Sequence, residues 1–276
     1  MIRHFALPAC IGLALALPAW SQAAPYPRSG FRAQLQTFAH NVQGSVTIVD
    51  ADTLLIEHFY YDGGGASVYF YLGAQNTQPA FNFGLSIGPQ LLGSVFNDAS
   101  FLLDLPVGTT LDGYNAVSVW CVLAQSSFGN GAFAAVPPAT YCNAKLNSQG
   151  CTPQIGFNGL PSATSSAPFT ISATQVINNK AGLLIYGQNS ANTPFAGGVL
   201  CVGSPLRRTA AQNSAGSMGT SNCTGSYSFD FGAQIQSGMN PALQPGNLVY
   251  AQYWQRDPQS SFGVGLSDGL AFHIAP

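Results

Sequence analysis

The residues "HNVQGSVTIVDADTLLIEHFYYDGGGASVYFYLG", His40 to Gly73, alternate apolar and polar side chains in short runs cut by turn-forming residues. Period-two alternation sends successive side chains to opposite faces of an extended chain, and no amphipathic helix tolerates it. Val42–Val49 reads as a strand, Asp50–Thr53 as its turn and Leu54–Tyr61 as the returning strand. Asp62–Gly65 then supplies glycines for a tight turn and Ala66–Gly73 a third strand, so the stretch is expected to form an antiparallel meander. Ser100–Gly108 and Ala116–Ala124 continue the pattern, and no segment here keeps a 3.6-residue period.

A seam rich in Gly, Ala and Pro follows, and beyond it "KAGLLIYGQ", "GGVLCVG", "LVYAQYWQRD" and "GLAFHI" again read as short strands. The expected fold is all-β: two antiparallel β-sandwich-like domains in tandem, at residues 30–130 and 141–276, joined by a linker at 131–140. Only 7% of the residues are charged and the net charge is -2, so no field draws nucleic acid or an anionic membrane.

The N-terminus predicts export. Arg3 and His4 precede an apolar run from Phe5 to Trp20, interrupted by Pro8 and Pro18, and Ser21-Gln22-Ala23 offers small residues for cleavage after Ala23. That run is short for a bilayer span. Residues 1–23 are therefore expected to be a signal peptide, and the mature chain to be periplasmic or extracellular with no later membrane span.

An oxidising compartment favours disulfides. Of six cysteines, Cys10 would leave with the signal. Cys142 and Cys151 flank the polar loop "NAKLNSQG", while Cys201 and Cys223 bracket a Ser/Gly/Asn-rich loop. The simplest partition pairs Cys142 with Cys151 and Cys201 with Cys223, leaving Cys121 alone; another pairing for Cys121, within or between molecules, stays open. With no C-x-x-C and only His40, His58 and His273 in the mature chain, no zinc ligand set is expected.

The first stretch, with "LDGYNAVSVWCVLAQSSFG" at Leu111–Gly129, resembles the DM-thirteen domain, an extracellular module found beside DOMON domains and in animal matrix proteins. The resemblance covers about Phe31 to Phe133, and a Tyr-Asn pair, then Val-Trp-Cys, then Phe-Gly carries it. It implies a β-sandwich and a redox or electron-transfer role through the shared cysteine, here Cys121. The residues themselves give a second reading. On a strand, Val117, Val119, Cys121 and Leu123 share an apolar face, while Ser118, Trp120 and Val122 share the other. A thiol packed in that face is a small hydrophobe, and a reactive one needs a cation nearby, which only His40 or His58 is placed to supply. The rear half, from Tyr141 to Ile274, looks like an uncharacterised β domain of secreted bacterial proteins, including those of planctomycetes, and implies no activity.

Residue patterns for catalysis are sparse. Glu57 is the single glutamate, and Asp50, Asp52, Asp62 and Asp112 fall in turns where Asp bonds its own backbone. There is no G-x-S-x-G elbow, P-loop or dinucleotide fingerprint. Phe59, Tyr60, Tyr61, Tyr69, Phe70 and Tyr71 crowd neighbouring strands, so half of them face away from a core, to bind a sugar or protein or to pack between domains. In "AQYWQRDP", Tyr253 and Gln255 share one side and Trp254 and Arg256 the other, with Arg256–Asp257 expected as a local ion pair. The function expected is an exported, non-catalytic surface or matrix interaction module without a cofactor, its partner an extracytoplasmic protein or glycan. The alternative is an electron-transfer or thiol-redox protein acting through Cys121, with a redox cofactor of unknown kind.

Overall fold

Residues 25–276 are described by a computed structural model; the expected signal peptide, its cleavage point and Cys10 lie outside the described residues. The regular secondary structure of the described residues is almost all strand, as the alternation predicts. Its front part contains β1 (Arg32–Gln34), β2 (Gln36–Thr37), β3 (Gln43–Ile48), β4 (Thr53–Tyr61), β5 (Val68–Gly73), β6 (Leu85–Ile87), β7 (Phe96–Asp104), β8 (Ala116–Cys121) and β9 (Ser126–Ala132), with a one-turn helix α1 (Gln78–Asn82) after β5. These form a four-stranded sheet, ordered β1-β3-β4-β7, and a five-stranded sheet, ordered β2-β9-β8-β5-β6. Val46, Ile56 and Phe59 from the first sheet and Val68, Phe70 and Val119 from the second pack into one core. Burying such side chains is the main drive to this layering, at about 1.5–3 kcal/mol each.

The meander expectation is half right. Strands β3 and β4 pair antiparallel, but β4 pairs next with β7, and β5 lies in the opposite sheet between β8 and β6. The glycine run therefore carries the chain from one sheet to the other instead of closing a hairpin. Gly63 and Gly65 take φ of +80° and +88°, where side chains are strained. A Cβ on Gly64 would meet the His40 ring, and one on Gly65 the Phe128 ring, so the run also lets the backbone pass close to both.

A bulge in β4 decides which aromatics enter the core. Leu54 and Ile56 are buried, then the register shifts at His58, which has φ +51°, and Phe59 and Tyr61 are buried instead of His58 and Tyr60. The outer face of β8 is covered as well: Trp120 is sealed with Ala116, Phe81 of α1 and Tyr71. The rings facing away from the core thus pack in part beneath a local helix.

The rear part contains β10 (Ala139–Tyr141), β11 (Gln154–Asn158), β12 (Thr170–Val176), β13 (Ala181–Gly187), β14 (Ser190–Phe195), β15 (Gly198–Val202), β16 (Leu206–Arg208), β17 (Gln212–Asn213), β18 (Gly225–Asp230), β19 (Leu248–Arg256) and β20 (Val264–His273). A helix, α2 (Phe231–Gln236), follows β18, its N-terminus capped by the Asp230 carboxylate, which accepts from the Ala233 N–H at 2.9 Å. The largest sheet runs β10-β20-β19-β13-β16 with β17 also on β13, beside sheets β11-β12-β18 and β14-β15. A second core gathers Phe169, Ile171, Tyr227, Phe231, Tyr253 and Phe272. None of β1–β9 pairs with any of β10–β20.

The disulfides join Cys142 to Cys201 and Cys151 to Cys223, which corrects the pairing expected from spacing. Asn147 holds the loop between Cys142 and Cys151 in place of a disulfide. Its side-chain oxygen accepts from the N–H groups of Gln149 and Cys151, each at 3.0 Å, and its own N–H donates to the Cys151 carbonyl at 2.9 Å. Hydrogen bonds thus close the short loop, and Cys151 is free to reach Cys223. Cys142 meets Cys201 because β10 and β15 converge over Gly269, where the Tyr141 hydroxyl donates to the Cys201 carbonyl at 2.5 Å. The crosswise bridges span 59 and 72 residues and contribute about 4 kcal/mol each, against about 2–3 kcal/mol for a nine-residue loop.

The expected Arg256–Asp257 ion pair is absent among the described residues. Asp257 is fully buried and accepts from the Ser148 N–H at 2.8 Å, while Arg256 stays in solvent. Of the four turn aspartates, Asp50 accepts from the Asp52 and Thr53 N–H groups and Asp62 from the Gly64 N–H, as expected, whereas the Asp112 carboxylate accepts from the hydroxyls of Tyr26 and Thr110.

Candidate functional site

Cys121 ends β8. It stands opposite Val68 of β5 and Ser126 of β9, and the alternation of β8 turns it inward with Val117 and Val119. Only 3% of it is exposed, and it forms no disulfide. Leu123, expected on the same inward face, lies beyond the strand end and is in solvent.

The inner neighbourhood of Cys121 comes from β4 and β9. Tyr61, also fully buried, donates its hydroxyl to the Gly64 carbonyl. Burial first, and then the charges of Asp62 and of an ionised Cys121, push the Tyr61 pKa up to about 12, so Tyr61 stands within electrostatic reach of Cys121. Phe128 of β9 belongs to the same core and carries the His40 ring at a centroid distance of 4.2 Å. His40 Nδ1 lies 3.0 Å from Asp62 Oδ1, and the His40 ring meets Tyr61 edge-on at 6.4 Å. The Gly64 N–H, chiefly, and His40 hold the Asp62 carboxyl below the usual carboxylate range.

Tyr61, Phe128, His40 and Asp62 form one connected group, and Tyr61 brings it within electrostatic reach of the thiol. Of the two histidines proposed as cation sources, His40 caps this neighbourhood. His58 does not, because it points into solvent at 77% exposure and pairs with Asp98 at 2.8 Å. The nearest charged groups shown beside this neighbourhood are the half-exposed His40 and Asp62, which act on Tyr61. Among the described residues no group of three or more His, Cys, Asp or Glu side chains converges as a metal site. Alternation identifies Cys121 as inward-facing, but the partners Tyr61 and Phe128 depend on sheet-to-sheet packing.

Two curated relatives, Protein Skeletor isoforms B/C and isoforms D/E of Drosophila melanogaster, are each 34% identical over 122 residues. The match covers 42% of this chain but only 15% and 8% of the relatives' own lengths, so the chain spans a small part of each. No solved structure matches the chain significantly. Residues 34–133, the front sandwich with Cys121 inside it, match the family described as electron transfer DM13.

Proposed function

We propose that the chain is an exported, non-catalytic interaction module of the cell surface or matrix, in which a DM13 domain and a second β domain stand in tandem and Cys121 is a packing residue. The observation that carries this reading is the seal around Cys121: it is 3% exposed in an apolar core, opposite Val68 and in the same cluster as Tyr61 and Phe128. A thiol acts as a nucleophile or electron donor through its thiolate, which needs a cation or solvent access. Two disulfides and the apolar N-terminal run support export, and among the described residues no helix is long and apolar enough to cross a membrane. Exposed apolar side chains such as Phe83, Val95, Leu102 and Val107 give the front sandwich contact surface for an extracytoplasmic protein or glycan.

A second reading, extracytoplasmic electron transfer or thiol redox at Cys121, is favoured by the description of the matching family and by the Tyr61–His40–Asp62 neighbourhood. Exposure of folded protein to hydrogen peroxide, followed by mass spectrometry, separates the two. The module reading expects Cys121 to remain a thiol; a sulfenate or a mixed disulfide at Cys121 in folded protein selects the redox reading.

A further inference from the structure

On the face of the rear sheet opposite its core lies a cavity of about 320 Å3. Its floor follows from strand alternation. Leu184, Tyr186 and Tyr253 point into the core, so their neighbours Leu183, Ile185 and Trp254 point out. Leu183 stands opposite Trp254 across β13 and β19, and Ile185 opposite Arg208 across β13 and β16. The β14–β15 hairpin raises a wall over this floor with Phe195 and Leu200. Arg208 is the one charged side chain in the lining, and it is exposed, with no ion pair or side-chain hydrogen bond among the described residues.

We propose that this cavity binds a small amphipathic organic anion, an aromatic or short alkyl carboxylate, with its apolar body against Trp254 and Phe195 and its acid group on Arg208. The lining selects this class by what it offers and what it lacks. An aliphatic and aromatic floor rewards burial of a ring or chain, and the volume sits at the lower end of small-molecule sites. The planar guanidinium matches a carboxylate with two parallel hydrogen bonds. A sugar needs several polar side chains around its ring, and here Arg208 stands alone. The wall is fixed before any ligand arrives: Cys201 of β15 is bridged to Cys142, Gln252 Nε2 donates to the Val199 carbonyl at 3.0 Å, and the Cys201 N–H donates to Gln252 Oε1 at 3.0 Å. Preorganisation of this kind lowers the ordering cost of binding.

Isothermal titration of the full mature chain with 2-naphthoate, and with its neutral counterpart 2-naphthamide, tests the proposal. Naphthoate is expected to bind saturably at one site, roughly tenfold or more tighter than the amide, the worth of one charge-assisted contact. Arg208→Gln is expected to bring naphthoate to the affinity of the amide and leave the amide unchanged. Arg207→Gln, on the adjacent residue whose side chain lines a different cavity, is expected to leave both unchanged. Absence of saturable naphthoate binding, equal affinity for the two probes, or equal losses in the two arginine variants would overturn it.

Discussion

Val68 and Cys121 stand directly opposite each other in the β5–β8 ladder, and both are sealed from solvent. The pair places the lone thiol of the described residues inside the front core at the end of β8, with Tyr61 and Phe128 in the same cluster. In this placement Cys121 packs as a small hydrophobe, and the stability of the fold should respond to its substitution accordingly.

Cys121→Ala removes one buried sulfur and leaves a small void, at a cost of about 1 kcal/mol. Cys121→Ser keeps the size but buries a hydroxyl in an apolar cluster, at about 1–3 kcal/mol if no partner is found. Urea midpoints should therefore rank wild type, then Ala, then Ser. A Ser variant as stable as wild type would show that the site is wet or polar.

Tyr61 should give an alkaline signature. Its pKa is pushed from the ordinary tyrosine value up to about 12, first by burial. A folded-state pKa above the unfolded one stabilises the fold below about pH 10, and the benefit disappears as pH rises through about 12. Tyr61→Phe should remove that alkaline loss, at a cost of about 1 kcal/mol near neutrality for the unpaired Gly64 carbonyl. Tyrosinate absorbance read together with circular dichroism checks both parts.

His273 should govern part of the acid response. It is a β20 residue whose ring packs on Gly30, just ahead of β1, and burial holds its pKa below the ordinary histidine value. The unfolded chain then takes up the proton first, so stability should fall as pH drops through the ordinary histidine range, about pH 7 to 5. His273→Phe should flatten this slope relative to wild type. An unchanged slope in thermal melts across that range would show that His273 does not contribute to the acid response.

Asn147 closes by hydrogen bonds a loop whose flanking cysteines look, by spacing, like partners. Asn147→Ala should cost about 1–2 kcal/mol in a denaturant titration without changing the disulfide pattern. A variant in which Cys142 bonds Cys151 would show that Asn147 also selects the pairing.

Local periodicity made much of this molecule legible. The all-β class, the β3–β4 hairpin, the inward turn of Cys121 and the Tyr253/Trp254 alternation follow from neighbouring side chains. What periodicity hid has a common cause, since each miss depends on contacts distant in the chain. The glycine run at Asp62–Gly65 looks like a hairpin turn because its close approach to His40 and Phe128 is invisible locally. The bulge at His58 reverses which of Tyr60 and Tyr61 is buried, and no single-strand pattern announces it. Cysteine spacing favours short loops, whereas the sheets bring Cys142 to Cys201 and Cys151 to Cys223. Asp257, next to Arg256 in sequence, is drawn inward by the Ser148 N–H.

The most direct test labels folded protein with iodoacetamide and then maps its peptides without reduction. The expected result is peptides linking Cys142 to Cys201 and Cys151 to Cys223, with Cys121 unlabelled until denaturant is added. A bridge to Cys121, a Cys142–Cys151 link, or prompt labelling of Cys121 in the folded state would contradict it.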